Sequence, residues 1–256
     1  MPRESNLDVA FASTAGPGDI PTLLSSPNES VLRALIENSS LDETHVCLLL
    51  ERKDLPGTLL EEIAKRKAWR AVYRVRRALA AHPHTPRLLA MRMLRDLHLL
   101  DLVRISLLPA TPVEVRRLAE ERLLTQLPVL PLGQKLMLAR RGSARTAGGL
   151  VEHGPVQVAR AALDNAFLTE SQVLKALAKN ALPADIVALI AKHEKWSKLV
   201  NVRVGVLRHP NAPLARALTF LPDLPRRNIE DLLRLSRLSG SLRGHLRAEL
   251  ARRQAQ

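Results

Sequence analysis

VRRALAAHPHTP (residues 75–86) and VRVGVLRHPNAP (residues 202–213) are one segment written twice, 127 positions apart. The match extends outward from both without a gap. Val31 falls on Val158, Asn38 on Asn165, Val46 on Val173, Pro56 on Pro183 and Trp69 on Trp196, and Asp96-Leu97 fall on Asp223-Leu224. Residues 31–97 hold 23 identities among 67 pairs, with both tryptophans of the chain in one register. Agreement of this kind over an ungapped stretch is a duplication.

A shorter period lies inside it. A Val followed by Arg, directly or one residue later, occurs at Val31, Val75, Val115, Val158 and Val202, at intervals of 44, 40, 43 and 44 residues. Helical repeats of the HEAT and armadillo type run to roughly 40–47 residues, so 127 is three such units. Five units starting at those valines are enough to stack a continuous core. Punctuation agrees with helices. Asn38 suits a left-handed helix end and Asp42 an N-cap, and Thr169-Glu-Ser-Gln172 fits a capping box. Pro56, Pro86, Pro183 and Pro213 suit first helical turns. Period-two alternation and Asn-Gly or Asp-Gly hairpin signals are missing. The expectation is an all-α chain with about three short helices per unit.

The paired segments at 75–86 and 202–213 resemble the leucine-rich repeat variant, a bacterial relative of HEAT repeats, over residues 75–97 and 202–224 and less clearly in the middle unit. That resemblance implies a right-handed α-solenoid, a HEAT/armadillo-like superhelix of about five repeats of 40–44 residues. It also implies an interaction scaffold, although fold alone does not fix function. Some members carry a cluster-binding cysteine segment. This chain has a single cysteine, Cys47, so that property does not transfer.

Composition bounds the remainder. A chain of 256 residues that is 46% hydrophobic and 25% charged can build a core. No apolar run approaches the length of a membrane span. One cysteine excludes an intrachain disulfide, which makes a reducing cytoplasm the expected location. Residues 1–26, rich in Gly, Pro, Ser and Asp, read as a flexible leader, and residues 27–256 as one helical-repeat domain. The net charge of +14 points to a polyanion as partner, or to no more than a solvated basic surface.

The duplication acts as an internal control, because residues present in both copies serve the repeat. On that basis Trp69 and Trp196 are packing residues, Arg76 and Arg203 tie neighbouring units, and His82 and His209 close helices. With two ligands in view, His82 and His84 do not make a metal site. One cluster belongs to the first copy alone. Between Ile63 and Arg95 stand ten Lys or Arg and no acid. On a continuous helix over residues 66–79, Arg66, Arg70, Arg74 and Arg77 share a sector of about 80°, opposite Ala68, Val72, Val75 and Leu79. The second copy has His193, Ser197, Asn201 and Val204 at those four positions. Arg140, Arg141 and Arg145, beside Gly142, Gly148 and Gly149, form a second basic spot. The segment from Arg234 to Arg253 reads as a capping helix with a basic outer side.

No cofactor fingerprint, metal motif or catalytic motif is present. The expected function is a non-catalytic scaffold for a protein partner. The alternative is duplex nucleic acid held by its phosphates, for which four contacts predict a salt slope of about −3 to −4. A HEAT-like DNA glycosylase or other enzyme is a third reading, and no residue set can be placed for it.

Overall fold

A computed structural model describes residues 2–235 and 238–255. Ser236 and Arg237, part of the expected capping segment, lie outside the described residues. Among those described there are helices and short 3-10 turns but no strand. The chain divides into two compact units, Met1–Thr125 and Gln126–Gln256, where the sequence reading expects one domain.

The first unit contains α1 (Pro2–Thr14), α2 (Ile20–Leu23), α3 (Glu29–Glu37), α4 (Glu43–Leu49), α5 (Gly57–Lys65), α6 (Lys67–Ala71), α7 (Tyr73–Ala81), α8 (Arg87–Leu94), α9 (Leu99–Leu107) and α10 (Val113–Gln126). The second contains α11 (Leu132–Arg141), α12 (Ala144–His153), α13 (Val156–Leu163), α14 (Glu170–Leu177), α15 (Ala184–Lys192), α16 (Val200–Arg208), α17 (Leu214–Leu218), α18 (Arg226–Leu233) and α19 (Gly240–Gln254). Shifted by 127, the first residues of α3, α4, α5, α7, α8, α9 and α10 land on those of α13 through α19. The duplication therefore reaches well past the identities at 31–97, and the unit boundary falls between its copies.

The valines that mark the short period, Val31, Val75, Val115, Val158 and Val202, are all buried. Each such side chain contributes about 1.5–3 kcal/mol of burial. Polar residues at helix ends then link neighbouring turns, with the same geometry in both copies. The Asn38 amide donates to the carbonyls of Ala12 and Ala15, each at 2.9 Å. Asn165 repeats this on Ala139 and Gly142 at 2.8 and 3.1 Å. His82 Nε2 donates to Arg52 O at 2.6 Å and His209 Nε2 to Lys179 O at 3.0 Å. His84 reaches Leu55 O, and Asn211 reaches the matching Leu182 O. Each of these groups satisfies carbonyls that a helix end or turn leaves open.

Those bonds correct several local expectations. Asn38 is extended at φ −66°, so its side chain closes the helix end and a left-handed backbone does not. His82 reaches a distant carbonyl and not those of its own helix. Asp42 does cap α4, in a reciprocal pair with His45. Thr169 makes no such bond, because its hydroxyl pairs with Ser171 and Gln172 packs over Gly148 instead. The four prolines stand one residue before their helices.

Where the reading expects a flexible leader, α1 packs on α3. Ala12, Ala15, Ile20 and Leu24 are buried there. Small side chains let α1 approach, and Gly16-Pro17-Gly18 is only the turn that follows it.

Candidate functional site

The continuous helix over 66–79 does not form. Arg66 and Val72 are both extended (ψ 116° and 120°), so α5, α6 and α7 are separate segments. The second copy breaks at the same two places, His193 and Leu199. These breaks turn the chain so that Val75 and Leu79 of α7 are buried, while Ala68 is left exposed. No Gly or Pro marks either break, which is why a helical wheel laid across them misplaces the arginines.

The four expected ridge residues are accordingly dispersed. Arg66 pairs with Glu37 on α3, Arg74 lies 3.9 Å from Glu43, and Arg77 lies 3.6 Å from Asp101. Arg74 and Arg77 border one cavity, of about 910 Å³, between α4, α7 and α9. Asp101 is buried beside it, accepts a 2.5 Å hydrogen bond from Tyr73, and faces Arg77 and Arg104. Burial, reinforced by the Asp101 carboxylate, raises the Tyr73 phenol above its ordinary pKa. Cys47 lines the same cavity with its thiol pushed up by burial, the opposite of nucleophile activation.

Arg70 faces elsewhere. It lines a groove of about 770 Å³ between α5, α6, α7 and α8, together with Lys65, Lys67, Arg76, Arg87 and Arg92. Two carboxylates, Glu61 and Asp96, stand in the same wall, leaving four positive charges in excess. Arg76 is held 3.5 Å from Asp96, and Arg87 is 4.0 Å from Glu114. Lys65, Lys67, Arg70 and Arg92 make no ion pair among the described residues. Apolar Ala64, Ala71, Pro86, Leu88, Leu89 and Met93 complete the lining. Of the predicted ridge, only Arg70 is both exposed and unpaired. The other groove cations lay within the same acid-free run but outside the wheel's sector.

At the matching positions the second unit has Lys192, Glu194, Ser197, Arg203, Leu214 and Thr219 for the six cations, and Ala188 and Asp223 for the carboxylates. With Lys198 and Arg216 standing for Ala71 and Leu89, the excess falls from four positive charges to two. Phe220 replaces Met93 and is buried, with the Arg203 and Arg216 guanidiniums 5.5 and 5.3 Å from its ring centre. Arg216, in place of Leu89, donates to Ala191 O at 3.1 Å. Trp196 is 1% exposed and donates to Leu163 O at 2.8 Å, while Arg203 donates to Ser197 O at 2.7 Å. In the first unit the equivalent Trp69 Nε1 and Arg76 Nε have no partner. The local cause is α6, a turn of α-helix where the second unit has a 3-10 turn, Trp196–Lys198.

The second basic spot straddles the turn between α11 and α12. Arg140 and Arg141 close α11 and are exposed, whereas Arg145 is half-buried in the first turn of α12. Gly142 N–H donates to Leu138 O and is not presented to solvent. Gly148 lies inside α12, where an added Cβ would sit 2.6 Å from Gln172 Oε1, so it permits close packing with α14.

No helix among the described residues is long and apolar enough to cross a membrane. Comparison with protein-family models, curated proteins and solved structures gives no match. The geometry therefore defines only the class: an all-α, multi-helix protein of the helical-repeat kind, duplicated once.

Proposed function

We propose that the chain is a non-catalytic, cytoplasmic interaction scaffold that binds an acidic stretch of a partner protein in the groove of its first unit. The finer fold class we assign is the HEAT/armadillo-like α-solenoid, close to the leucine-rich repeat variant. One observation carries the functional reading: a groove with four excess positive charges and four unpaired cations in one copy, where the matching positions of the other hold half that excess and a buried Phe220. Lys67, Arg70, Arg87 and Arg92, which the second copy lacks, stand beside an apolar floor and suit carboxylates attached to a hydrophobic chain.

Duplex nucleic acid fits less well. Three of the four arginines expected on its phosphates face carboxylates, and two of these, Arg74 and Arg77, border a different cavity from Arg70. A glutamate-rich peptide titrated into the full chain at physiological ionic strength tests the reading. The Arg70→Gln/Arg87→Gln/Arg92→Gln variant should weaken peptide binding by about tenfold or more while leaving folding intact. Unchanged peptide affinity, alongside a duplex salt slope of about −3 to −4 that flattens in Arg66→Gln/Arg70→Gln/Arg74→Gln/Arg77→Gln, would reverse the choice.

A further inference from the structure

We infer that the acidic segment binds as an amphipathic helix laid along α8, its apolar side chains covering Leu88 and Met91. This rests on the reading of the groove above and specifies its occupant. α8 buries Ala90, Met93 and Leu94 and turns a different face to solvent. On that outer face Leu88 is 70% exposed and Met91 40%, three residues apart and so about one turn along the helix. Arg87, Arg92 and Arg95 flank them. Leu88 and Arg92 border both the groove described above and a second cavity of about 460 Å³ that also involves Leu118 and Arg122 of α10. The face of α8 is thus an apolar ridge between two hollows, with cations on its rims.

The conformation of the occupant follows by elimination among the ways proteins hold peptides. Adding a strand requires an open sheet edge, and no strand is present among the described residues. Holding a polyproline segment requires aromatic walls, and neither cavity has an aromatic lining residue. A helix in a groove requires apolar contacts one turn apart with charges outside them, which α8 supplies; Met91 adapts to irregular side chains. Phosphates would satisfy the cations but leave Leu88 in water. The second unit has no equivalent ridge. α17 is five residues long, Ala215 and Leu218 stand for Leu88 and Met91, and Arg216 is folded inward onto Phe220.

The test uses the full chain and two labelled peptides of about sixteen residues, roughly four helical turns. One has Leu at helical spacing with Glu elsewhere, and the other is its scrambled isomer. Fluorescence anisotropy at physiological ionic strength should show the patterned peptide bound about tenfold tighter. The preference should vanish in Leu88→Ser/Met91→Ser and persist in Leu100→Ser, another exposed leucine of the first unit. Equal affinity for both isomers, or a preference that survives in Leu88→Ser/Met91→Ser, overturns the inference. If both isomers bind alike and both weaken in Arg70→Gln/Arg87→Gln/Arg92→Gln, the groove stands and only the helix falls. If neither weakens in that arginine variant, the groove reading falls with it.

Discussion

Trp69 and Trp196 occupy one register of a duplicated chain and have different surroundings. Trp196 is sealed in, its indole N–H on a carbonyl, with Lys195 stacked 4.1 Å from its ring centre. Trp69 is half-buried and its indole N–H has no partner. In the second unit Phe220, under two arginines, stands in the place of Met93; in the first unit the groove stays open and basic. Two copies under the same folding constraints show which polar groups the architecture needs and which one copy has alone. Asn38/Asn165 and His82/His209 belong to the architecture. Of the groove cations, Lys65 and Arg76 recur as Lys192 and Arg203, and Lys67, Arg70, Arg87 and Arg92 do not.

The sharpest way to break this comparison is to remove each tryptophan in turn. Trp196→Ala should cost about 3–5 kcal/mol, read by chemical denaturation, because it empties a closed site and strands the Leu163 carbonyl. Trp69→Ala should cost about 1 kcal/mol, since less surface leaves the core and an unsatisfied donor goes with it. Equal losses would mean that the two environments do not differ in solution. Next, Asn38→Ala and Asn165→Ala should destabilise by similar amounts, about 2–3 kcal/mol, because each strands two buried carbonyls. A large difference between these two would separate the copies where the geometry says they agree.

A graft sharpens the comparison at the groove. Leu89→Arg/Met93→Phe installs the second unit's filling in the first, and should lower acidic-peptide affinity by about tenfold with stability changed by about 1 kcal/mol or less. Peptide binding that survives the graft would place the contact outside the groove. The smallest effect concerns pH. Burial pushes the His82 imidazole below its usual pKa, against the opposing pull of its bond to the Arg52 carbonyl. A base with a depressed folded-state value contributes stability above its unfolded pKa, about 6.5, and loses it as pH falls through the lowered value. Urea midpoints between pH 7 and about 5 should therefore fall less steeply in His82→Gln than in the parent chain.

Much of the architecture was legible in advance, and for identifiable reasons. An ungapped offset of 127 requires equal elements at equal spacing, and the five periodic valines point inward because each helix has one buried stripe. The segment 1–26 misled because α1 buries Ala12, a side chain that carries almost no pattern, and Gly16, Pro17 and Gly18 belong to one short turn. The site was legible only as a region. The acid-free run from 63 to 95 located the charge, but the wheel assumed a helix through Arg66 and Val72. Breaks made by ordinary residues leave no mark in composition. They depend on how α7 packs against α4, α5 and α8, which a local reading does not include.

The bonds from Asn38, His82, Asn165 and His209 share one direction: every one runs to a carbonyl earlier in the chain. For a polypeptide made from its N-terminus, the acceptor has been synthesised before its donor emerges. At these four bonds the newer segment docks onto a neighbour already made. Assembly during translation is thereby given an order, written in four polar side chains.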